Sequence, residues 1–546
     1  MTDKKADFIL INGDIRTMDP LKPRVRALAA HKGRIVALGD DAEIRALEGK
    51  HVHVVDAGGR LVLPGFQDTH IHMQESGTRH ALDVDLAYIE TMPALLKKIA
   101  DFAKARPERE WIKGHGWYSG IFQEHNLTRE VLDTAISDRP FIAWSSDYHS
   151  AAMNSKACEV LGLDASITDP ENGRFSRDAK GVPTGMLHEA AIDFARERMP
   201  QTPDSDWEAG VRYGQALCNR NGFTGVLDAL VTEKHLRIYR NVEKAGDLTI
   251  RIASTALVEP SDTVEGALER VEGFRRDHSS DLLKVHSAKF FLDGVLENRT
   301  AAMLQDYQDE DGGNAPVMFG ENHLRELFIA FDAARFQIHC HVIGDKAVRA
   351  ALDALEAARE VNGKWPSLHQ LAHCQVVDPA DIPRFARLGI MPNIQALWAR
   401  NEPSVTDVAV PICGPKQARW IYPFRSLIDA GATVALSSDW GVSSLNPFEI
   451  MQTAMTRQPP AKGRDWPPFL PEEVMTLDEC IKAYTVNAAA AAWRSADTGS
   501  LEPGKFADLI VLDQDLFAID TYDIAKTKVD LTVLGGREVY RRESFA

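Results

Sequence analysis

The chain has 546 residues, of which 44% are apolar and 26% charged, and its formal net charge is −17. That length suits one large barrel with an accessory domain, and the acidic balance repels phosphate backbones, which excludes nucleic acid as a partner. The N-terminal apolar run, Phe8 to Ile11, is too short for a signal peptide or a membrane span, and no other stretch is long enough. Six scattered cysteines form no CxxC pair. The expectation is a cytoplasmic protein with reduced thiols and no membrane partner.

Residues 7–12, 34–38 and 51–55 have strand patterns, with Asn12-Gly13 and Lys32-Gly33 as turn signals. Strand-like 507–512 and 530–534, with Gly535-Gly536 turning into Arg537 to Tyr540, stand at the far end. Neither end carries enough apolar surface to fold alone, which predicts one small β-sandwich domain from 1–60 and 496–546.

Between the ends, candidate strands fall at 61–67, 223–229, 249–257, 285–292, 336–342, 368–374, 390–396 and 432–438. Several are apolar on both faces, as parallel strands covered by helices are. Helical patterns separate them, such as Val348, Ala351, Leu352 and Leu355. The predicted fold is α/β, a (β/α)8 TIM-like barrel over 61–495. More than a hundred residues separate the first two strands, too many for a barrel loop. This predicts an inserted lid subdomain over about 76–200, with a helix marked by Met92, Leu95, Leu96, Ile99, Phe102 and Ala103, a strand over 140–145, and a surface loop over 167–185.

An apolar strand runs into Pro64-Gly65-Phe66-Gln67-Asp68-Thr69-His70-Ile71-His72. Alternate strand residues point the same way, so His70 and His72 can grip one ion, and imidazole suits zinc and its neighbours. His341 and His373 end apolar strands, where a barrel presents its active site, although a histidine there is also a satisfied core residue. Asp439 ends the eighth strand as a turn cap or as a ligand and general base. Lys289, among apolar residues, needs a partner or loses its charge: either a salt bridge to Asp293 or Asp439, or a carbamate made with carbon dioxide.

Together with Lys289-Phe290-Phe291-Leu292-Asp293-Gly294, Arg299-Thr300-Ala301, His341-Val342-Ile343-Gly344-Asp345 and Ser438-Asp439-Trp440, these stretches resemble the amidohydrolase superfamily, in its amidohydrolase 3 branch. The tail from Gly499 to Leu509 is similar to the superfamily's return to its small sheet domain. The resemblance implies one or two divalent ions, with zinc the first choice, held by His70, His72, carboxylated Lys289, His341, His373 and Asp439. It implies Asp439 as proton carrier and Trp117, His149, Asp293 and Arg299 on the substrate side. The chain departs from the branch at Val295-Leu296-Glu297-Asn298 and at Tyr118.

The implied reaction is hydrolysis of a non-peptide C–N bond, in a small-molecule N-formyl or N-acyl amine, by hydroxide generated on the metal. A lactone or ester hydrolase on the same site is the alternative. A deaminase is disfavoured by Lys289, a non-catalytic barrel by the complete ligand set, and a redox enzyme by the missing dinucleotide fingerprint. A homodimer is expected by analogy alone.

Overall fold

The computed structural model describes residues 5–87, 89–118, 121–146, 150–170, 173–310 and 312–545. They fall into two compact units, Met1–Met73 with Gln215–Ala546, and Gln74–Gly214.

In the first unit, one sheet is built from the N-terminal end of the chain and a second draws strands from both ends. One has the order Arg34–Gly39, Ala27–His31, Ala6–Ile11, Glu48–Asp56; the other runs Arg537–Arg541, Val529–Leu534, Leu509–Leu512, Leu61–Pro64, Asp14–Arg16, Arg24–Val25. Strand alternation divides the burial. Phe8 and Leu10 join Val62, Leu509, Val511 and Leu531 in one buried cluster, while Ile9 and Ile11 join Ala27, Ala29 and Ile44 in another.

The same unit holds eight parallel strands in chain order: β1 Phe66–Ile71, β2 Phe223–Val231, β3 Arg251–Leu257, β4 Leu283–Phe291, β5 Gln337–Val342, β6 Gln370–His373, β7 Met391–Ile394 and β8 Ala435–Leu436. All six residues of β1 are buried, as covering on both faces requires. The ladder ends at β1 and β8, but three bonds draw those edges together. Thr69 Oγ1 donates to the Leu436 carbonyl (3.0 Å), Asp439 N to the His70 carbonyl (2.9 Å) and His72 N to the Trp440 carbonyl (2.8 Å).

The predicted first strand, 61–67, is two strands. Leu61–Pro64 pairs with Leu509–Leu512 in the terminal sheet, and the chain changes partners at Gly65, whose N–H meets the Asp508 carbonyl at 3.0 Å. A Cβ on Gly65 would lie 2.2 Å from Thr224 Oγ1, so the crossover requires glycine. The predicted eighth strand, 432–438, shrinks to two residues because Ser437 and Ser438 turn their hydroxyls and backbone into the barrel's polar network.

Within Gln74–Gly214, a six-stranded sheet has the order Gly173–Arg177, Pro183–Glu189, Ser150–Met153, Phe141–Ser145, Ile112–Trp117, Val84–Asp85. The helix Met92–Ala105 lays Leu95, Ile99 and Ala103 on one face, against Val84, Ile112, Phe141 and Ala143. The loop expected over 167–185 contains a hairpin instead. Its polar residues serve the turn, where the Asp178 carboxylate accepts the N–H groups of Lys180 and Val182 and Gly181 takes a φ of +80°. Phe175 and Leu187 on its strands are buried. Among the described residues, no helix is long and apolar enough to cross a membrane.

One buried ion pair ties β3 to the C-terminal strands. Arg251 Nε and Nη2 donate to the Asp508 oxygens at 2.7 and 3.1 Å, and its guanidinium lies 3.7 Å from the Phe506 ring centroid. Arg251→Ala strands a buried carboxylate and is expected to lower unfolding free energy by about 3–5 kcal/mol. An unchanged denaturant midpoint would refute the coupling.

Candidate metal centre

The parallel ladder sets which residues meet at the strand ends. Register pairs Phe291 of β4 with His341 of β5, and Val342 of β5 with His373 of β6. The closing bonds at β1 and β8 bring Asp439 beside His70 and His72. His373 and Asp439 take positive φ values of 76° and 51°, an uncommon backbone that turns both side chains at their strand ends.

The side chains converge. Asp439 Oδ1 lies 3.3 Å from His72 Nε2 and 3.7 Å from His70 Nε2. One ligand atom each from His70, His373 and Asp439 lies within 4.8 Å of the others. The His70–His373 and His341–His373 ring centroids are 4.9 and 4.5 Å apart. Two donors on one tetrahedral zinc stand roughly 3.3 Å apart, so this nitrogen and oxygen set fits a divalent ion. Among the described residues Asp439 Oδ1 and Lys289 Nζ are both buried without a hydrogen-bond partner, an expensive arrangement for groups with nothing to bind.

Burial governs protonation here. It holds His70, with the Lys289 charge, and His373, with His341, well below the ordinary histidine pKa. Burial and Lys289 push His341 down to about 4. Neutral imidazole is the form that binds metals. Burial also lowers Lys289 to about 8, against the opposing pull of Asp439. Its ammonium position lies 4.6 Å from the Phe291 ring centroid.

Of the residues expected on the substrate side, Asp293, Arg299 and Trp117 are described, and Asp293 Oδ1 lies 3.9 Å from His341 Nε2. Both Asp293 oxygens are engaged, accepting N–H groups from Ile343 (2.9 Å), Gly344 (2.8 Å) and Ala302 (2.9 Å), which braces the turn after His341. Burial nonetheless pushes its carboxyl up to about 7. Arg299 pairs with Asp309 and donates to the Gly312 carbonyl, its guanidinium 4.9 Å from the Tyr307 ring centroid. Trp117 is buried in the core of Gln74–Gly214, with its indole N–H on the Ala143 carbonyl at 3.1 Å. His149 lies outside the described residues.

Three supporting residues escaped the sequence reading. His339 Nε2 is 2.8 Å from His70 Nδ1, Gln395 Oε1 is 2.7 Å from His373 Nδ1, and Trp398 stacks on His373 with ring centroids 5.3 Å apart. The Nδ1 contacts leave each Nε2 for the site, the usual way ligand histidines are oriented. A second H-x-H, His339-Cys340-His341, was the available signal for His339. Gln395 had none, since its contact depends on how β6 and β7 end.

The sequence matches the model of the amidohydrolase family (Amidohydro_3) over residues 53–540. It is 28% identical to N-substituted formamide deformylase of Arthrobacter pascens, covering 98% of each chain. Among solved structures, an uncharacterized metal-dependent hydrolase of Pyrococcus furiosus superposes with a TM-score of 0.74 at 24% identity, over 93% of this chain and 99% of that one. The zinc complex of atrazine chlorohydrolase TrzN from Arthrobacter aurescens TC1 gives 0.56 at 15% identity, over 99% and 97%. The last two likenesses concern the fold, while the family match spans most of the chain and includes every candidate ligand. The chain belongs to the amidohydrolase family, metal-dependent hydrolases acting on carbon–nitrogen bonds.

Proposed function

We propose that the protein hydrolyses the C–N bond of an N-formyl or N-acyl amine, releasing a carboxylate and an amine. The observation that carries this reading is the convergence of His70, His72 and His373 on a buried Asp439 oxygen that has no hydrogen-bond partner. The formamide-cleaving relative supports the acyl group chosen.

His70, His72 and Asp439 would hold one divalent ion, with zinc suited to their nitrogen and oxygen atoms. His341 and His373 would hold a second, with Lys289 as a further anionic ligand once its amine has added carbon dioxide and lost a proton to become a carbamate. Burial, which lowers that lysine to about 8, favours the nucleophilic free amine. A bound ion supplies Lewis acidity to the substrate carbonyl and lowers the pKa of water from 15.7 towards about 7.

The protein's own groups then manage the protons. Asp439 accepts the proton from the attacking water and returns it to the nitrogen as the C–N bond breaks, so the amine leaves neutral. His339 and Gln395 hold the His70 and His373 rings in place throughout. Trp398, stacked on His373, limits ring rotation.

Amine release from N-formyl, N-acetyl and N-aroyl amines, with lactones and aryl esters alongside, tests the reaction. Chelator-sensitive amide cleavage, restored by zinc, is the expected result; cleavage of lactones or esters alone would discard the C–N assignment. Asp439→Asn is expected to lower kcat by about 10²–10⁴ while metal content falls much less. Near-wild-type turnover would remove Asp439 from proton transfer. His339→Phe, which leaves the His70 ring without its Nδ1 partner, is expected to weaken metal affinity by about 10–100-fold in equilibrium dialysis.

A further inference from the structure

The unit Gln74–Gly214 contains a cavity of about 490 Å³ that shares no residue with the metal centre. Its floor follows from strand alternation. On Ile112–Trp117, the residues Ile112 and Gly114 face the helix Met92–Ala105 side of the sheet, which sends Lys113 and His115, with the preceding Trp111, to the opposite face. Register places His115 level with Asp85 on one neighbouring strand and Trp144 on the other. Asp83 precedes Asp85 by two residues and lines the same cavity, and Trp207 completes the aromatic lining. The cavity lies between this sheet face and residues of the helices Met73–Leu82 and Asp204–Arg220, and its volume is that of a small-molecule site, roughly 300–1,000 Å³.

Most charges around the cavity are already matched. Arg79 meets Glu75 at 2.9 Å, Arg109 pairs with Asp206, and Arg196 meets Asp193 at 3.1 Å. Asp83, Lys113 and the exposed Glu110 at the rim are in no ion pair among the described residues. Among the described residues Asp83 has no ion pair within 4.0 Å, and Lys113 Nζ meets no carboxylate, only Thr202 Oγ1 at 3.3 Å. Beside them, His115 keeps a buried Nε2 without a hydrogen-bond partner among the described residues. Burial pushes the Asp83 carboxyl up to about 6 against the pull of Lys113, Arg79 and Arg109, none of them in contact with it, and a cation placed directly on it would offset the remaining cost. A monocation would meet repulsion from Lys113, and a monoanion from Asp83. A ligand bearing both charges satisfies both groups, and the tryptophan faces suit an aromatic body.

We propose that this cavity binds a small aromatic zwitterion of the α-amino acid class, its ammonium on Asp83, its carboxylate on Lys113 and its ring against Trp111, Trp144 and Trp207. The site is independent of the reaction proposed above.

Calorimetric titration of the full chain with phenylalanine, 2-phenylethylamine and 3-phenylpropanoate at neutral pH tests the assignment. One equivalent of phenylalanine should bind, with each singly charged analogue weaker by about tenfold or more. Asp83→Asn and Lys113→Met should each weaken phenylalanine binding to a similar degree, whereas Asp439→Asn should leave it intact. Failure of phenylalanine to bind at millimolar concentration, equal binding of a singly charged analogue, wild-type affinity in both cavity variants, or loss of binding in Asp439→Asn would each overturn the proposal. The ligand panel on the unmodified protein decides the matter even where a variant does not fold.

Discussion

The metal centre depends on how the barrel closes. A short eighth strand cannot zip to the first by an extended ladder, so closure falls to the His70 carbonyl accepting from Asp439 N and the Trp440 carbonyl accepting from His72 N. These bonds belong to the candidate ligands or their immediate neighbours. The contact that completes the sheet is therefore also the one that sets His70, His72 and Asp439 a few ångströms apart. Fold stability and ligand geometry are secured by one piece of backbone.

Below that seam, the barrel interior is polar in one continuous chain. Gln395 joins His373 to Ser437, Ser437 donates to Asn393, Asn393 reaches the Thr69 carbonyl and Gln370, and Gln370 reaches Gln337. Each buried amide is satisfied by the next, so the network fixes rotamers without leaving a bare polar group. It connects β5, β6, β7, β8 and β1 below the cluster of histidines. Lys289 and Asp439 stand out against it as buried groups with unpartnered atoms.

Much of this was legible in the sequence because it is local and periodic. A strand ending in His70-Ile71-His72 points to two candidate ligands on one face, and apolar runs ending in His341, His373 and Asp439 point to the other candidates. The insert's helix Met92–Ala105 was equally plain from its apolar spacing. What was not legible depends on long-range partners. No local signal tells that Pro64-Gly65 is a change of sheet, since the strand pattern continues across it and only the approach of Thr224 explains the glycine. The hairpin over Gly173–Glu189 was obscured because its turn residues dominate the composition, while the buried Phe175 and Leu187 are too few to stand out. Asp293 illustrates the same limit. Its place in a family motif suggested substrate, and gave no sign of the three backbone N–H groups its oxygens meet, which only the folded loop assembles.

The crossover at Gly65 gives the far end of the chain influence over the first ligands. Leu509–Leu512 holds Leu61–Pro64 in the terminal sheet, and three residues after Gly65 the same strand is already at Asp68, whose carboxylate accepts the N–H groups of His70 and Ser438. Loosening the C-terminal strands would thus be felt along the short stretch of backbone that leads into the candidate ligands His70 and His72. The tail is best regarded as an anchor for that stretch, through the pairing of Leu509–Leu512 with Leu61–Pro64, rather than as an appendage to a self-sufficient barrel.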